Sequence, residues 1–326
     1  MGVLFLGLCL LSSCIGGYWV LVPQPPDGDD SGAPLETADT AAPAACADSE
    51  LIEGNLDWSG EGQSICGDAP ITLDGDLLVW SDADDLSGLA CLCRVNGDVV
   101  FIGNTRLTAL SGLDGLTSVG GDLLLLGNLL LQDLSALSNL TAIEGALHLE
   151  RNGLLLRVAG LESLARTGGL LIVDNNSLST LSGFAGLVDI DGALFVRGNN
   201  QLGSLAGLES LTGLAGPLRV ETSALTSLTG LESLTAVSEG SLRLDENQRL
   251  TSLAGLEGLG DIGEDLSLRR NPALVDISAL HAVRSVGVNF TVTDNRELST
   301  DAVYALLDAI GEENIGSTIT ISGNAP

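Results

Sequence analysis

The sequence has no lysine: its 13 basic residues are all arginine, set against 43 acidic ones. Catalysis through a lysine amine is therefore excluded. The formal net charge, 13 − 43 = −30, argues against nucleic acid or an anionic membrane surface as a partner, because both are read by clusters of Lys and Arg. Aromatic residues make up only 3% of the chain, too few to line the apolar pockets that usually hold small molecules or cofactors. Only two histidines occur, His148 and His281, and neither belongs to a nucleophile motif. Both read as solvated surface residues. There is no Walker motif and no G-x-S-x-G elbow. Glycine pairs such as Gly120-Gly121 and Gly168-Gly169 punctuate a repeat rather than mark a dinucleotide site, which needs a strand–turn–helix setting. Charged residues total 17%, against roughly 25% in an average domain. What remains is aliphatic: 45% hydrophobic residues and 42 glycines, apolar enough to bury a core rather than stay disordered.

No charged residue precedes Asp27. Within that stretch Val3–Leu11 is an apolar run leading into Leu11-Ser12-Ser13-Cys14, the order of a secretory leader and its small-residue cleavage site. The tetrad resembles the lipobox of bacterial lipoproteins. That resemblance implies a signal peptide over residues 1–13, lipidation at Cys14 and an exported, cell-envelope protein anchored in the outer membrane. No Arg or Lys precedes the run, which departs from the pattern. The alternative is one uncleaved anchor from Val3 to Val22, diluted by Ser12, Ser13, Gly16 and Gly17. Residues 14–45 carry no apolar periodicity and are rich in Pro, Ala, Asp and Thr from Pro23 onward, as a flexible tether is. Asp27, Asp29 and Asp30 lie there without the spacing of a calcium loop. Residues 1–93 hold 16 acidic and no basic side chains, so residues 94–326 hold 43 − 16 = 27 acidic and 13 basic ones. The charge is −16 before Arg94 and −14 from Arg94 onward.

With Cys9 in the leader and Cys14 at the anchor, Cys46, Cys66, Cys91 and Cys93 remain, an even number suited to disulfides in an oxidising compartment. Cys91 and Cys93 are two apart and face the same way on an extended strand. Cys66–Cys93 with Cys46–Cys91 is expected, or the swap. A four-Cys zinc site needs closely spaced ligand pairs at both ends, and twenty residues separate Cys46 from Cys66. No metal is expected. Residues 46–95 read as a disulfide-linked N-cap and first coil, with residues 46–70 laid over the first coil.

The dominant feature is a repeat of about 24 residues, opening at Gly97, Gly121, Gly145, Gly168, Gly192, Gly216 and Gly240. The template is G-x-L-x-(L/V/I)-x-x-N, then an apolar residue at every third position. One copy reads Gly121, Leu123, Leu125, Asn128, Leu131, Leu134, Leu137, Leu140, Ile143. Altered copies follow over Leu266–Val286 and Phe290–Ile310, and a degenerate one precedes over Gly75–Val95, making about ten copies. Alternation over G-x-L-x-L is a strand, and the every-third leucines suit a compact turning segment. A single copy cannot bury its apolar side, so neighbours stack into a solenoid with a parallel sheet, on the order of 50 Å long at about 4.8 Å per strand. Just after each strand stand Asn104, Asn128, Asn152, Asn175, Asn199, Asn247, Asn271 and Asn295, with Thr222 in the one missing place. Their regularity marks a buried structural ladder that satisfies backbone groups between coils. Three glycosylation sequons, at Asn139, Asn175 and Asn289, carry little weight in a bacterial protein. At the far end, Val303, Leu306, Leu307 and Ile310 show helical spacing after Ser299-Thr300-Asp301, and Thr318–Ile321 alternates as a last strand.

The repeat, with the opening Cys93-Arg94-Val95-Asn96-Gly97-Asp98-Val99-Val100-Phe101, resembles the receptor L-domain family. Leu89 or Ala90, Cys93, Val95, Gly97, Val99 and Phe101 match its L-x-x-C-x-V-x-G-x-L-x-I element. The resemblance covers roughly residues 66–326. It implies an α/β-type repeat solenoid of leucine-rich-repeat kind, a right-handed parallel β-solenoid of about ten coils. Residues 96–326 would form the repeat body, with a helical C-cap. In that family an upstream Cys closes onto the Cys of this element, which implies Cys66–Cys93. The chain departs from the receptors in having about twice the repeats of one L domain and no Cys-rich module between halves. Hormone binding is therefore not carried over.

The outward strand positions give the functional expectation. From the N-terminal end they are Leu78, Trp80, Val100, Ile102, Leu124 and Leu126, then Ala146, His148 and Glu150, then Leu171, Val173, Phe195 and Arg197. Beyond these come Arg219, Glu221, Arg243, Asp245, Ser267 and Arg269. A contiguous apolar face marks an interaction site, so Trp80, Val100, Ile102, Leu124, Leu126, Leu171, Val173 and Phe195 are the expected binding face. The expected function is non-catalytic binding of a protein or glycan at the cell surface, with no cofactor. Two alternatives remain: a passive envelope protein whose apolar face is covered from within, and a β-helix carbohydrate-active enzyme. The enzyme needs clustered acids or an Arg–Asp set on one face together with aromatic sugar platforms.

Overall fold

The computed structural model describes residue 46 and residues 48–60, 62–80 and 83–326. The leader, Cys14, the single-anchor alternative and the tether lie outside the described residues.

The Leu/Gly template folds as a parallel β-solenoid of about ten coils. Each repeat coil contributes one strand to a broad ladder and another to a second ladder. The pairs begin with β1 (Glu50–Glu53) and β2 (Leu56–Trp58), β3 (Ile71–Asp74) and β4 (Leu77–Val79), β5 (Leu92–Val95) and β6 (Val99–Ile102), and β7 (Ser118–Val119) and β8 (Leu123–Leu126). In β9 (Ala142–Glu150) and β10 (Arg166–Val173) the two strands of a coil fuse. The series resumes with β11 (Asp189–Ile190) and β12 (Leu194–Arg197), β13 (Gly213–Leu214) and β14 (Leu218–Glu221), and β15 (Ala236–Val237) and β16 (Leu242–Asp245). It closes with β17 (Asp261–Ile262) and β18 (Leu266–Arg269), then β19 (Ser285–Val286) and β20 (Phe290–Thr293), helix α1 (Thr300–Ile310) and β21 (Ile319–Ser322). The broad ladder is β2–β4–β6–β8–β9–β10–β12–β14–β16–β18–β20–β21, parallel throughout. The repeat template ends each copy on Ile or Val and assigns that residue no strand. In the structure those residues build the second ladder.

Residues 46–70 cover the first coil by adding a coil of their own, β1 and β2 pairing in register with β3 and β4. Trp58 is buried in the core, its Nε1–H donating to the Asp85 carbonyl at 2.9 Å, and does not reach over the sheet face. The disulfides are Cys46–Cys93 and Cys66–Cys91, with Cα–Cα distances of 5.8 and 5.4 Å. This is the swap, not the Cys66–Cys93 bond implied by the resemblance. Both bonds tie the added coil to the strand-turn at β5.

Inward residues of every coil are fully buried: Leu123, Leu125, Leu131, Leu134, Leu137 and Leu140 in one, with the same positions in its neighbours. Each buried leucine contributes about 1.5–3 kcal/mol relative to exposure. The every-third leucines run through short 3₁₀ turns at Ser87–Leu89, Ser135–Leu137 and Ser182–Phe184. Glycine is required where coils stack backbone to backbone. Gly207 has φ +114°, and a Cβ there would sit 2.1 Å from the Leu181 carbonyl oxygen of the coil before.

The ladder asparagines are all fully buried. Asn152 is representative: its Nδ2 donates to the Leu125 carbonyl at 2.8 Å, and its Oδ1 accepts the Asn128 N–H at 3.1 Å. The residue before each ladder position takes a left-handed φ, among them Gly103, Gly127, Arg151, Asp174, Thr222 and Glu246. That corrects the reading of the missing place. Thr222 is the left-handed residue, and Ser223 occupies the ladder, donating its Oγ–H to Asn247 Oδ1 at 2.7 Å. Asn324 extends the ladder at the far end, accepting the Asn295 N–H at 3.1 Å. In α1 the residues Val303, Leu306, Leu307 and Ile310 are buried, and β21 follows to pair with β20. No helix among the described residues is long and apolar enough to cross a membrane.

Candidate functional site

Parallel, in-register pairing turns the outward residues into columns. One runs Leu78, Val100, Leu124, His148, Leu171, Phe195, Arg219, Arg243, Ser267, Thr291. The next runs Ile102, Leu126, Glu150, Val173, Arg197, Glu221, Asp245, Arg269, Thr293. The strand side chains alternate in exposure, as in β8, where Leu123 and Leu125 are buried and Leu124 and Leu126 half-buried. The N-terminal half of this face is apolar and the C-terminal half charged.

In the apolar half Trp80 and Ile102 are 44% and 42% exposed, while Val100, Leu124, Leu126, Leu171 and Phe195 are half-buried. Val173 departs from the expectation. It is 9% exposed, flanked in register by Glu150 and Arg197, and offers little contact area. The Arg219 guanidinium lies over the Phe195 ring, 5.2 Å from its centroid, so Phe195 closes the apolar half beneath a cation. His148, expected to be solvated, is largely covered, its Nε2 3.2 Å from Glu150 Oε2. That hydrogen bond holds the Glu150 carboxyl below the usual range, against the opposing effect of burial. A polar pair thus sits inside the apolar surface. His281 is exposed on a 3₁₀ turn (Ser278–Ala282), well along the chain from His148.

Four leucines that sequence reasoning missed expose apolar surface at the turns after β8 and β9: Leu129, Leu130, Leu154 and Leu156, with Leu129 and Leu156 at 57% and 58%. The signal was present in the repeat. Other copies place polar residues after the ladder asparagine, such as Thr105-Arg106, Asn176-Ser177 and Gln248-Arg249.

In the charged half, Arg219 Nη2 bonds Glu221 Oε1 at 2.5 Å and Arg243 Nη2 bonds Asp265 Oδ2 at 2.7 Å. Asp265 Oδ1 also accepts the Asn289 amide at 2.8 Å, so this carboxylate is fully occupied. Asp245 differs: its Oδ1 is buried with no hydrogen-bond partner. Burial pushes its carboxyl up, Arg269 opposes this, and Glu221 adds to it.

At the Asn200–Arg249 edge the repeat is irregular. Thr222 is β-branched at φ 45°, an unusual conformation for such a residue, and no hydrogen bond joins Asn199 to Ser223 among the described residues. A cleft of about 290 Å³ opens there beside Asn200, Thr222, Glu246 and Arg249. A second cleft, about 320 Å³, lies beside the disulfides and is lined mainly by small residues such as Gly67, Ala69, Ala90 and Gly115. Among the described residues no three His, Cys, Asp or Glu side chains are grouped to hold a metal ion.

Compared with known proteins, the chain matches no family model and no curated protein sequence.

Proposed function

We propose that this protein is a non-catalytic surface module of the cell envelope, which binds a protein or glycan through the outward face of its broad ladder. The observation that carries the reading is the apolar stretch made by exposed Trp80 and Ile102 and half-buried Leu124 and Leu126, with exposed Leu129 and Leu130 at the following turn. Its apolar character suits a protein partner on this half of the face. The His148–Glu150 pair within it fits a partner that brings a polar group to the same spot, since polar groups desolvated on binding need compensation. Leu124→Glu with Leu171→Glu tests this: both sites are half-buried on the face, so the fold survives while partner capture falls. Undiminished capture rejects the face as the site.

We further propose that the solenoid is a leucine-rich repeat of receptor L-domain type, closed at its far end by α1 as a cap, and that the chain is exported and lipid-anchored through Cys14. Two disulfides suit an oxidising compartment, and the Leu11–Cys14 tetrad suits lipidation. Palmitate labelling tests the anchor; unchanged membrane fractionation of Cys14→Ala rejects it.

A further inference from the structure

The charged half of the face holds a cavity that the apolar half does not share. It has a volume of about 80 Å³ and is walled by Arg243, Asp245, Asp265 and Arg269, with Ser267, Asn289 and Thr291 among its lining residues. Two of these hydroxyl residues are almost wholly covered: Ser267 is 4% and Thr291 8% exposed. Neither hydroxyl bonds another side chain or the backbone among the described residues, which leaves both open to a ligand at the cavity wall. Asp245 Oδ1 is likewise buried without a partner, and among the described residues no carboxylate lies within ion-pair distance of Arg269. Unspent donors and acceptors therefore converge on one hollow: a carboxylate oxygen, two hydroxyls and a guanidinium.

Their chemistry selects the ligand class. Two arginines and two aspartates make the walls electrically neutral. An anion drawn to Arg243 and Arg269 would meet the free oxygen of Asp245, and a cation drawn to Asp245 would meet both guanidiniums. A neutral hydroxyl suits both, because it donates to a carboxylate while accepting from a guanidinium or another hydroxyl. A water takes roughly 30 Å³ in the liquid, so the cavity has room for two neighbouring hydroxyl groups rather than a whole sugar ring.

We propose that this cavity is a saccharide subsite, which takes a vicinal diol edge of a neutral glycan between Asp245, Arg269, Ser267 and Thr291. The site is separate from the apolar half and does not depend on a protein partner binding there.

The test uses the intact chain titrated with methyl α-mannoside, methyl α-glucoside and inorganic sulfate, followed by NMR. The variant Ser267→Ala/Thr291→Val removes both hydroxyls without adding side-chain volume to the cavity. Its melting temperature, unchanged or raised, shows that the fold is intact. The expected result is saturable binding of at least one glycoside, weakened about tenfold in this variant, since each neutral hydrogen bond is worth a few-fold in affinity. Asp245→Asn weakens it as well, whereas Leu124→Glu/Leu171→Glu leaves it unchanged. Three results overturn the proposal: no glycoside binding, equal binding by the Ser267→Ala/Thr291→Val variant, or saturable sulfate binding that strengthens in Asp245→Asn. Loss of partner capture with glycoside binding intact speaks to the apolar face alone.

Discussion

Asn152→Ala removes one rung from the buried ladder. Two groups lose their bonds outright: the Leu125 carbonyl, which accepts from Nδ2 at 2.8 Å, and the Asn128 N–H, which donates to Oδ1 at 3.1 Å. The amide contacts to Asn128 and Asn175, at 3.4 and 3.3 Å, are longer and weaker. Leaving a buried backbone group unpaired costs about 1–3 kcal/mol, so two cost roughly 2–6 kcal/mol, with a value near 4 expected. Asn152→Asp gains nothing, because its carboxylate keeps the acceptor but faces the Leu125 carbonyl without a donor. Since coils touch mainly their neighbours, a weak rung in mid-array also uncouples the two sides. Urea denaturation followed by circular dichroism reads both effects, as a lower midpoint or as a transition split in two. Asn139→Ala is the control: this exposed amide bonds the Asp114 carbonyl at 2.7 Å and its loss is worth no more than about 1 kcal/mol. If Asn152→Ala costs no more than this control, the ladder does not hold the coils together.

Three further outcomes follow from other parts of the molecule. Burial, with repulsion from Asp122 and Asp76, raises the Asp98 carboxyl above its ordinary value, against a hydrogen bond from the Asp122 backbone. Folding therefore favours its protonated form, and stability falls as pH rises from the ordinary carboxylate value through the raised one. Asp98→Asn copies the arrangement at Asn289, whose Oδ1 accepts the Thr318 N–H at 3.3 Å. It raises the neutral-pH midpoint and flattens that pH dependence; an unchanged profile is the contrary result. The Cys46–Cys93 bond spans 47 residues, so chain entropy gives it a contribution of about 4 kcal/mol. Cys46→Ser/Cys93→Ser lowers the stability of the first coils accordingly, visible as lost amide-exchange protection in β1 and β3, and equal protection contradicts it. Gly207→Ala, whose Cβ meets the Leu181 carbonyl oxygen at 2.1 Å, costs more than about 2 kcal/mol by the same urea assay.

The repeat body was legible because the same positions are inward in coil after coil: Leu123, Leu125 and Leu131 recur as Leu147, Leu149 and Leu155. The ladder was legible by recurrence and misread only at Thr222. There the turn is one residue shorter, Ser223-Ala224-Leu225 against Asn199-Asn200-Gln201-Leu202, so counting back three from the leucine lands on the wrong residue. The added coil at residues 46–70 escaped notice because Leu56–Trp58 is followed by neither a ladder asparagine nor leucines at every third place. Outward positions identified the apolar and charged halves but not their burial. His148 is covered through its bond to Glu150, and Ser267 and Thr291 are short side chains beside the long Arg243 and Arg269. Neighbours one coil away set such exposure, and a single strand does not reveal them. The cysteine spacing left two disulfide pairings open, and the structure has Cys46–Cys93 with Cys66–Cys91.

Whether the apolar half meets a partner is tested most directly by photo-crosslinking in the native envelope, with a photoreactive amino acid placed at Ile102 or, as a control on exposed helix surface, at Tyr304. A discrete adduct is predicted from Ile102, abolished by Leu124→Glu/Leu171→Glu and absent from Tyr304. No adduct from Ile102, or the same adduct from both positions, contradicts the proposed surface.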